Sequence, residues 1–447
     1  MRVTLDCMMA LLFRVILDLL YSSYVTQTYE SDFPIYTNSM LRFCESYAIA
    51  FVLAFLVSVL LHHNWRPSGI VIVLYLVVVM LPLTSLYGLA DAPATFVYEA
   101  AISFVLLLVT IELLPKVRLL RPGRDLLFLG LTAVIGISAY VYVWLALTGG
   151  IERLSFDFGS VYEVRAEYVQ TRGPLMGYLV PWQANIINIF ILIYAFHKKN
   201  YWLLILASIA QLMLFGMTGH KSFFLAPLLA SGVYFLWKRK NAISYILFAC
   251  SAVMLASYGY FWVTGNELMP SIFIRRLFFV PASLHIIYYD FFAQPSHPFY
   301  MLSDSILRYF IENPYGVHMP QVIASTYWHR DFWPDVGYLG DAYGNFGFAG
   351  MALFSVILGF ILRLVDSIGS RLPSNFVAAI ISMPSYALTE SALFTTMLTH
   401  GFVLAMLMLW LLSLIANSTE NSENIRTSSL CCKSGLEDQL SGGSIQK

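Results

Sequence analysis

Charged side chains are scarce in this 447-residue sequence. Only 12% of the residues are Asp, Glu, Lys or Arg, whereas 59% are hydrophobic. A soluble domain usually has about 25% charged and 45–50% apolar residues, so the composition excludes an ordinary soluble protein and indicates a polytopic membrane protein. Acidic and basic residues number 26 each. The net charge is therefore zero and gives no indication of a nucleic-acid partner.

Motifs for disulfides, metals and nucleotides are also missing. The sequence has no CxxC pair, no Walker A motif, no dinucleotide fingerprint and no internal repeat of obvious period. We therefore expect no disulfide framework, no metal, no cofactor and no ATP-driven chemistry. The five cysteines are scattered: Cys7, Cys44, Cys250, Cys431 and Cys432.

Long apolar runs are abundant, and a helix needs about 20 such residues to cross a bilayer. They predict an all-α protein with about twelve transmembrane helices. The first run contains Arg14 and Asp18, whose i,i+4 spacing lets them neutralise each other. The predicted spans are 5–22, 46–62, 69–88, 94–114, 126–147, 175–196, 201–217, 222–237, 243–264, 343–365, 374–392 and 397–416.

Basic residues follow every second span. The positive-inside rule therefore predicts cytoplasmic termini and places two long loops, about 148–174 and 265–342, outside. Loops of that length are usually functional. Residues 1–416 form the predicted membrane domain, and the Ser-, Asn- and Gly-rich tail 417–447 is predicted to be disordered. The basic residues are Arg66, Lys116, Arg118, Arg121, Arg124, Lys198, Lys199, Lys238, Arg239, Lys240, Arg363 and Arg371.

Several cations in the outer loops are candidates for binding phosphate. Arg165 lies between Glu163 and Glu167, a pattern typical either of a solvated interfacial helix or of a guanidinium that reaches a phosphate. His220 and Lys221 lie in a short turn that opens a helix. Such a turn favours anions, although Lys221 could simply extend to the interface.

The second long loop begins with Arg275 and Arg276 in an aromatic-rich stretch that predicts a helix on the outer bilayer surface. The arginine pair fits a lipid headgroup or a pyrophosphate equally well. Near the end of the loop, Asp341 and Asn345 precede a span, and an acid at such a position is a functional candidate. The loop also contains other acids and histidines, which are commonly surface residues: Asp304, His318, His329, Asp331 and Asp335.

Three segments resemble a known family: VYEVRAEYV, GHKSFFLAPLLA and DAYGNFGFAGMALFSVILGFILRLVDS. They are similar to the bacterial oligosaccharide repeat-unit polymerases of the Wzy type, the O-antigen polymerases, as are the twelve spans and two long periplasmic loops. The resemblance implies a GT-C-like glycosyltransferase of the bacterial inner membrane. Its substrate would be an undecaprenyl-pyrophosphate-linked oligosaccharide, and its partners would include the lipid bilayer and chain-length regulator and flippase proteins.

The resemblance also implies roles for individual residues. Arg165 and Lys221 occupy motifs that are associated with function in the family, with Lys where Arg is commoner. Related ligases have a His-Asn pair in the last large loop, but His329 is followed by Arg330, so we expect Asp341 to be the catalytic base and His329 to be second. The expected pyrophosphate- and glycan-binding residues are Arg165, Lys221, Arg275, Arg276, His220 and Asn345.

Two other functions remain open. One is an O-antigen ligase-like GT-C enzyme, which would perform the same chemistry with a different acceptor. The other is a lipid-linked oligosaccharide flippase, in which we would expect repeat-like halves and charged residues along a midplane path. Here the charged candidates concentrate on one face instead, which favours the polymerase.

Overall fold

The structure, a computed structural model, describes residues 1–33, 39–120, 122–305 and 309–413. These residues form helices and connecting segments, without strands. The predicted disordered tail, Cys431, Cys432 and Arg121 lie outside the described residues. The helices are α1 Arg2–Leu20, α2 Met40–His63, α3 Gly69–Leu89, α4 Ala94–Leu113, α5 Arg124–Gly150, α6 Val161–Gln170, α7 Met176–Lys198, α8 Tyr201–Thr218, α9 Lys221–Leu236, α10 Ala242–Thr264, α11 Leu268–Phe292, α12 Met319–Tyr327, α13 Tyr338–Gly369, α14 Ser374–Glu390, α15 Leu393–Leu398 and α16 402–413.

The chain is an all-α polytopic membrane protein, as the composition predicts. Within the described residues, ten helical segments are long and apolar enough to cross a membrane, with α15 and α16 counted as one segment, Leu393–Ser413. Each of the twelve predicted spans overlaps a helix within the described ranges, although α1, α9 and α14 are not among the ten. Helix α1 carries four charged residues, and α9 and α14 are only 16 and 17 residues long.

The bundle has two distinct ends. At the end named here the basic end, Asp6 of α1 contacts His62 of α2 at 2.8 Å, and the Ser68 backbone nitrogen donates to Asp366 of α13 at 3.0 Å. At the opposite end, named the loop end, Arg42 of α2 donates to the Tyr87 carbonyl oxygen of α3 at 3.0 Å. The basic loops and the two long loops are thus at opposite ends. Which membrane face each end meets stays a prediction.

The two charges inside α1 form the predicted ion pair. Arg14 is fully buried and contacts Asp18 one turn later. The Arg14 guanidinium also donates to the Thr84 carbonyl oxygen at 2.9 Å, and the Tyr47 hydroxyl donates to Asp18 at 2.7 Å. Because buried charges are tolerated when they are paired and hydrogen-bonded, this network joins α1 to α2 and α3 and has a structural role.

Helix α11 differs from the sequence-based expectation. The sequence predicted a surface helix here, but α11 is long and apolar enough to span and packs among the helices. Both of its ends nevertheless contact the loop end. Tyr29 donates to Glu267 at 3.4 Å near its start, and Tyr289 lies 3.0 Å from the Thr95 hydroxyl near its end. Helix α11 therefore begins and ends at the loop end, and many of its apolar side chains, such as Ile274, Phe278 and Phe279, are buried by protein.

Helix α13 is a helical hairpin rather than one straight span. The helical dihedral angles break at Phe346 and at Gly347, whose φ is +61°, a value that favours glycine. The Tyr338 hydroxyl consequently lies 3.4 Å from the Ser355 hydroxyl. The segment 338–345 thus runs back against the long membrane helix, and it carries Asp341.

Candidate active site

The segment that precedes α13 dips into the bundle from the loop end. The Trp328 indole nitrogen donates to Asp32 at 3.3 Å at the loop end. Nine residues later, Gly337 is so close to the end of α14 that a Cβ there would lie 2.5 Å from the Thr389 carbonyl oxygen. Non-helical backbone at membrane depth is tolerated only where protein buries it or where it lines a water-filled cavity. The dipping segment, which is buried from Val336 onward, thus meets the end of α14 inside the bundle, and this meeting point at the loop end is named the cleft here.

Four carboxylates from four separate segments interact electrostatically at this cleft. Asp335 lies on the dipping segment, Asp341 on the hairpin of α13, Asp304 on the preceding loop and Glu390 at the end of α14. Asp335 interacts electrostatically with each of the other three. The described residues contain no group of three or more His, Cys, Asp or Glu side chains close enough to hold a metal ion. The four carboxylates therefore influence one another's ionisation without forming such a group.

The surroundings of Asp335 change the pKa of its side chain. Its side chain is open to solvent although protein surrounds most of it. This partial burial raises the pKa of Asp335 to about 6, Arg165 opposes the increase, and Asp304 adds to it. A carboxylate with a pKa close to neutrality is a stronger base than an ordinary one and still ionises at pH 7.

Asp304 is held in a fixed orientation. One of its carboxylate oxygens contacts the Nδ1 atom of His318, and the other accepts a hydrogen bond from the Met319 backbone nitrogen at 2.7 Å. The His318 ring also lies 5.2 Å from the Trp333 ring. These contacts therefore hold the Asp304 carboxylate where it interacts electrostatically with Asp335 and Asp341.

Arg165 reaches the cleft because α6 packs on the turn between α8 and α9. Val161, Val164 and Tyr168 form the buried face of α6, and Arg165 lies on its exposed face. Gly219, with a φ of +66°, allows the contact, since a Cβ there would lie 2.4 Å from the Val161 carbonyl oxygen. The structure thus brings Arg165 and Asp335 together from positions 170 residues apart.

The turn that contains His220 and Lys221 supports Arg165. Tyr168 and Phe223 pack against the His220 ring, with centroids 5.7 and 4.8 Å away. Burial, followed by the charge of Arg165, lowers the pKa of His220 to about 4, so His220 is neutral at pH 7 and packs against its neighbours. The Lys221 ammonium lies 4.9 Å from the Tyr162 ring centroid, which keeps it beside α6.

The two neighbouring arginines of α11 have different surroundings. Arg276 is exposed and interacts electrostatically with Glu390. The Arg275 guanidinium instead lies 4.1 Å from the ring centroid of Tyr29, whose hydroxyl donates to Glu267. Only Arg276 joins the carboxylate cluster.

Asn345 uses its amide to shape the backbone around the cleft. Its nitrogen donates to Asp341 Oδ1 at 3.1 Å, and its oxygen accepts from the Leu302 backbone nitrogen at 2.8 Å. Met301 and Leu302 both have positive φ, a conformation that this bond helps to hold. Asn345 therefore positions Asp341, and its expected contact with a glycan stays a prediction.

His329 does not join the cluster. Its side chain is exposed on a left-handed turn with a φ of +53° and, within the part of the chain that the structure describes, makes no hydrogen bond. Sequence reasoning singled out Asp341 but gave no role to Asp335 or Asp304. Sequence reasoning also missed Glu390. The sequence feature that could have identified it is a single acidic residue at the end of an apolar run.

The chain was compared with models of known protein families, with curated proteins and with solved structures. None of them matches.

Proposed function

We propose that the protein is a glycosyltransferase that polymerises undecaprenyl-pyrophosphate-linked oligosaccharide repeat units at the outer face of the bacterial inner membrane. The observation that carries the proposal is the set of electrostatic interactions at the loop end that links Asp335 to Asp341, Glu390 and Arg165, and Glu390 to Arg276. A lipid-pyrophosphate donor needs cations near its phosphates and a base near its acceptor. This cleft contains both.

The proposed reaction transfers the growing glycan to the incoming repeat unit. An acceptor hydroxyl oxygen forms a bond to the anomeric carbon of the donor, and the bond from that carbon to the pyrophosphate oxygen breaks. The departing undecaprenyl pyrophosphate keeps the electron pair. The hydroxyl proton passes to a carboxylate, so atoms and charge balance without a further reactant.

Asp341 is the proposed base, and Asp335 takes the second place that the sequence gave to His329. Asp341 has an Asn345 amide to orient it, whereas His329 lies outside the cluster. Arg165 and Arg276 approach the cleft from different helices and would stabilise the charge that develops on the pyrophosphate, which is usually the largest catalytic term.

A transporter is the second candidate, because one observation favours it. Broken helices that meet inside a bundle are common at transporter binding sites, and here the dipping segment meets the end of α14. A flippase would move the lipid-linked glycan without forming a bond. The two functions therefore differ in their products, and so does a ligase, which would need a different acceptor.

The decisive experiment is elongation by purified protein in vesicles, with lipid-linked repeat units as the only substrate. General-base catalysis contributes about 100- to 10,000-fold, so Asp341→Asn should reduce elongation by at least about 100-fold. Asp331→Asn is the matched control, since Asp331 is an exposed acid of the same loop outside the cluster. It should retain activity.

Each alternative result has a clear meaning. Absence of elongation by the wild-type protein would refute the polymerase proposal and leave transport or ligation. Near-normal elongation by Asp341→Asn, combined with loss in Asp335→Asn, would move the base to Asp335. Loss in His329→Asn alone would reject the carboxylate cluster as the catalytic group.

A further inference from the structure

A second polar cavity lies at the basic end, far from the proposed active site. It has a volume of about 470 Å³, within the usual range of small-molecule pockets. The ends of α13 and α16 and the connection between α4 and α5 form its walls. The lining residues that matter here are Lys116, Arg118, Ser370, Arg371, Trp410 and Ser413.

Three cations line the cavity: Lys116, Arg118 and Arg371. Within the described residues, Lys116, Arg118 and Arg371 form no ion pair and no side-chain hydrogen bond. Two acids at this end already have partners: Glu112 contacts Arg66, and Asp366 accepts from the Ser68 hydroxyl at 2.9 Å. Three cations therefore converge on a space that no acid of the described chain fills.

Two serine hydroxyls and a tryptophan indole in the cavity wall already donate to backbone carbonyl oxygens. The Ser370 hydroxyl donates to the Ser367 carbonyl oxygen at 2.7 Å, and the Ser413 hydroxyl donates to that of Trp410 at 2.6 Å. The Trp410 indole donates to the Leu120 carbonyl oxygen at 2.9 Å. Because these three donors are already engaged, an anion in the cavity would be bound by the guanidinium and ammonium groups, which suit phosphate oxygens.

Apolar side chains beside the cations point to a lipid as the source of the anion. Leu113, Val117 and Leu120 are 78%, 52% and 86% exposed, and they alternate along the chain with Lys116 and Arg118. Such a segment suits the boundary between headgroups and acyl chains. Basic pockets between helices at the cytoplasmic face are known to bind acidic lipid headgroups.

We propose that this cavity binds the phosphate of an anionic phospholipid, with the acyl chains lying along the exposed leucines. The site is independent of the proposed glycosyltransferase activity. Two other occupants would share the chemistry. One is a soluble phosphate. The other is the chain's own acidic residues after Ser413, namely Glu420, Glu423, Glu437 and Asp438.

The test measures lipid retained by the full-length protein. The protein is extracted in mild detergent from phosphatidylcholine vesicles that contain phosphatidylglycerol, and bound lipid is counted by native mass spectrometry. Each cation near a membrane surface contributes about 1 kcal/mol, so the double variant Arg118→Gln/Arg371→Gln should retain about 30-fold less phosphatidylglycerol. A double lysine variant at the same positions should retain it.

The matched control is Arg239→Gln/Lys240→Gln, which removes the same charge from exposed positions at the same end and should bind normally. Equal loss in the control would overturn the site. Inorganic phosphate that displaces the lipid at equal concentration would identify a soluble anion instead. Binding that appears only after the four acidic tail residues are neutralised would make the tail the natural occupant and would also overturn the proposal.

Discussion

At the scale of single residues, the carboxylates of the cleft differ in the partners they already have. Asp304 has both oxygens engaged, Asp341 is oriented by Asn345, and Asp335 is open to water. A carboxylate that must accept a proton from substrate needs a free oxygen. In the proposed reaction, this favours Asp335 and Asp341 as the groups that meet the substrate and Asp304 as a positioning residue beside them.

The first prediction follows from the charge of Asp304. That charge raises the pKa of Asp335, so Asp304→Asn should lower this pKa. Asp335 would then stay ionised at lower pH, and the acidic limb of the elongation rate should move to lower pH. The Asn oxygen can still accept from the Met319 nitrogen, which preserves the local fold. Elongation rates measured between about pH 5 and pH 8 check the shift.

No shift in Asp304→Asn would mean that neither of the carboxylates that interact with Asp304, Asp335 and the proposed base Asp341, governs the pH dependence. A shift to higher pH would contradict the electrostatic reasoning itself. Asp331→Asn serves again as the control, because Asp331 is exposed and lies outside the cluster, and its acidic limb should coincide with that of the wild type.

The second prediction separates the two adjacent arginines of α11. Arg276→Gln removes the cation that interacts with Glu390, and loss of one charge-stabilising group typically reduces the rate about 100- to 1,000-fold. Arg275→Gln removes a cation–π contact with Tyr29, worth about 0.5–1 kcal/mol at an exposed site. It should lower the melting temperature slightly and leave elongation nearly unchanged.

Thermal unfolding and elongation, measured on the same preparations, distinguish the two effects. If Arg275→Gln lost activity as strongly as Arg276→Gln, the pyrophosphate would contact both side chains, as the sequence alone suggested. Equal and normal activity in both variants would remove α11 from the active site.

At the scale of helices and turns, the packing of α6 on the turn between α8 and α9 sets the position of Arg165. Gly219 is in a left-handed conformation and lies against the α6 backbone, where a Cβ would be 2.9 Å from the Arg165 nitrogen. A side chain at this position must therefore displace α6. The catalytic cation would move with it.

The third prediction is that Gly219→Ala inactivates the protein without altering any charged group. A displacement of about 1 Å can reduce a rate about 100-fold, so we expect a loss of that order. Gly232→Ala is the matched control, since no atom lies within 4 Å of its Cβ position and alanine favours a helix interior. Normal elongation by Gly219→Ala would show that Arg165 does not require this packing.

The elements illustrate what the sequence can and cannot predict. The apolar runs predicted nine of the ten long apolar helical segments, because length and composition are local properties, but they did not predict α11 as one of them. The hairpin at Gly347 and the dip at Gly337 were not predicted, because they depend on contacts with Ser355 and Thr389, far along the chain. For the same reason Asp341 was recognised from its own neighbourhood, whereas Asp335, Asp304 and Glu390 acquire meaning only when folding brings them together.

At the scale of the whole molecule, the charge distribution divides the protein into two ends with different chemistry. Cations that have no ion-pair partner among the described residues line the basic-end cavity, whereas charges of both signs interact at the cleft at the loop end. The positive-inside rule predicts that the basic end is cytoplasmic. A donor carried on a lipid could then reach the cleft from the bilayer while its glycan extends to the outside.

The last prediction tests this arrangement and the path of α11 together. Because both ends of α11 contact the loop end, cysteines at Asn266 and Ser296 should be labelled from the same side of the membrane. Both positions are exposed, as is Ser370 at the basic end. In a cysteine-free background, needed because Cys44 is exposed, a membrane-impermeant maleimide added to intact cells should label Asn266→Cys and Ser296→Cys. Ser370→Cys should react only after permeabilisation.

If α11 crossed the bilayer, Asn266 and Ser296 would be on opposite sides, and the large loop that carries Asp304 and Asp335 could not share a compartment with Arg165. Labelling of Ser370→Cys alone in intact cells would reverse the orientation and place the cleft in the cytoplasm, where undecaprenyl-linked polymerisation at the outer face could not occur.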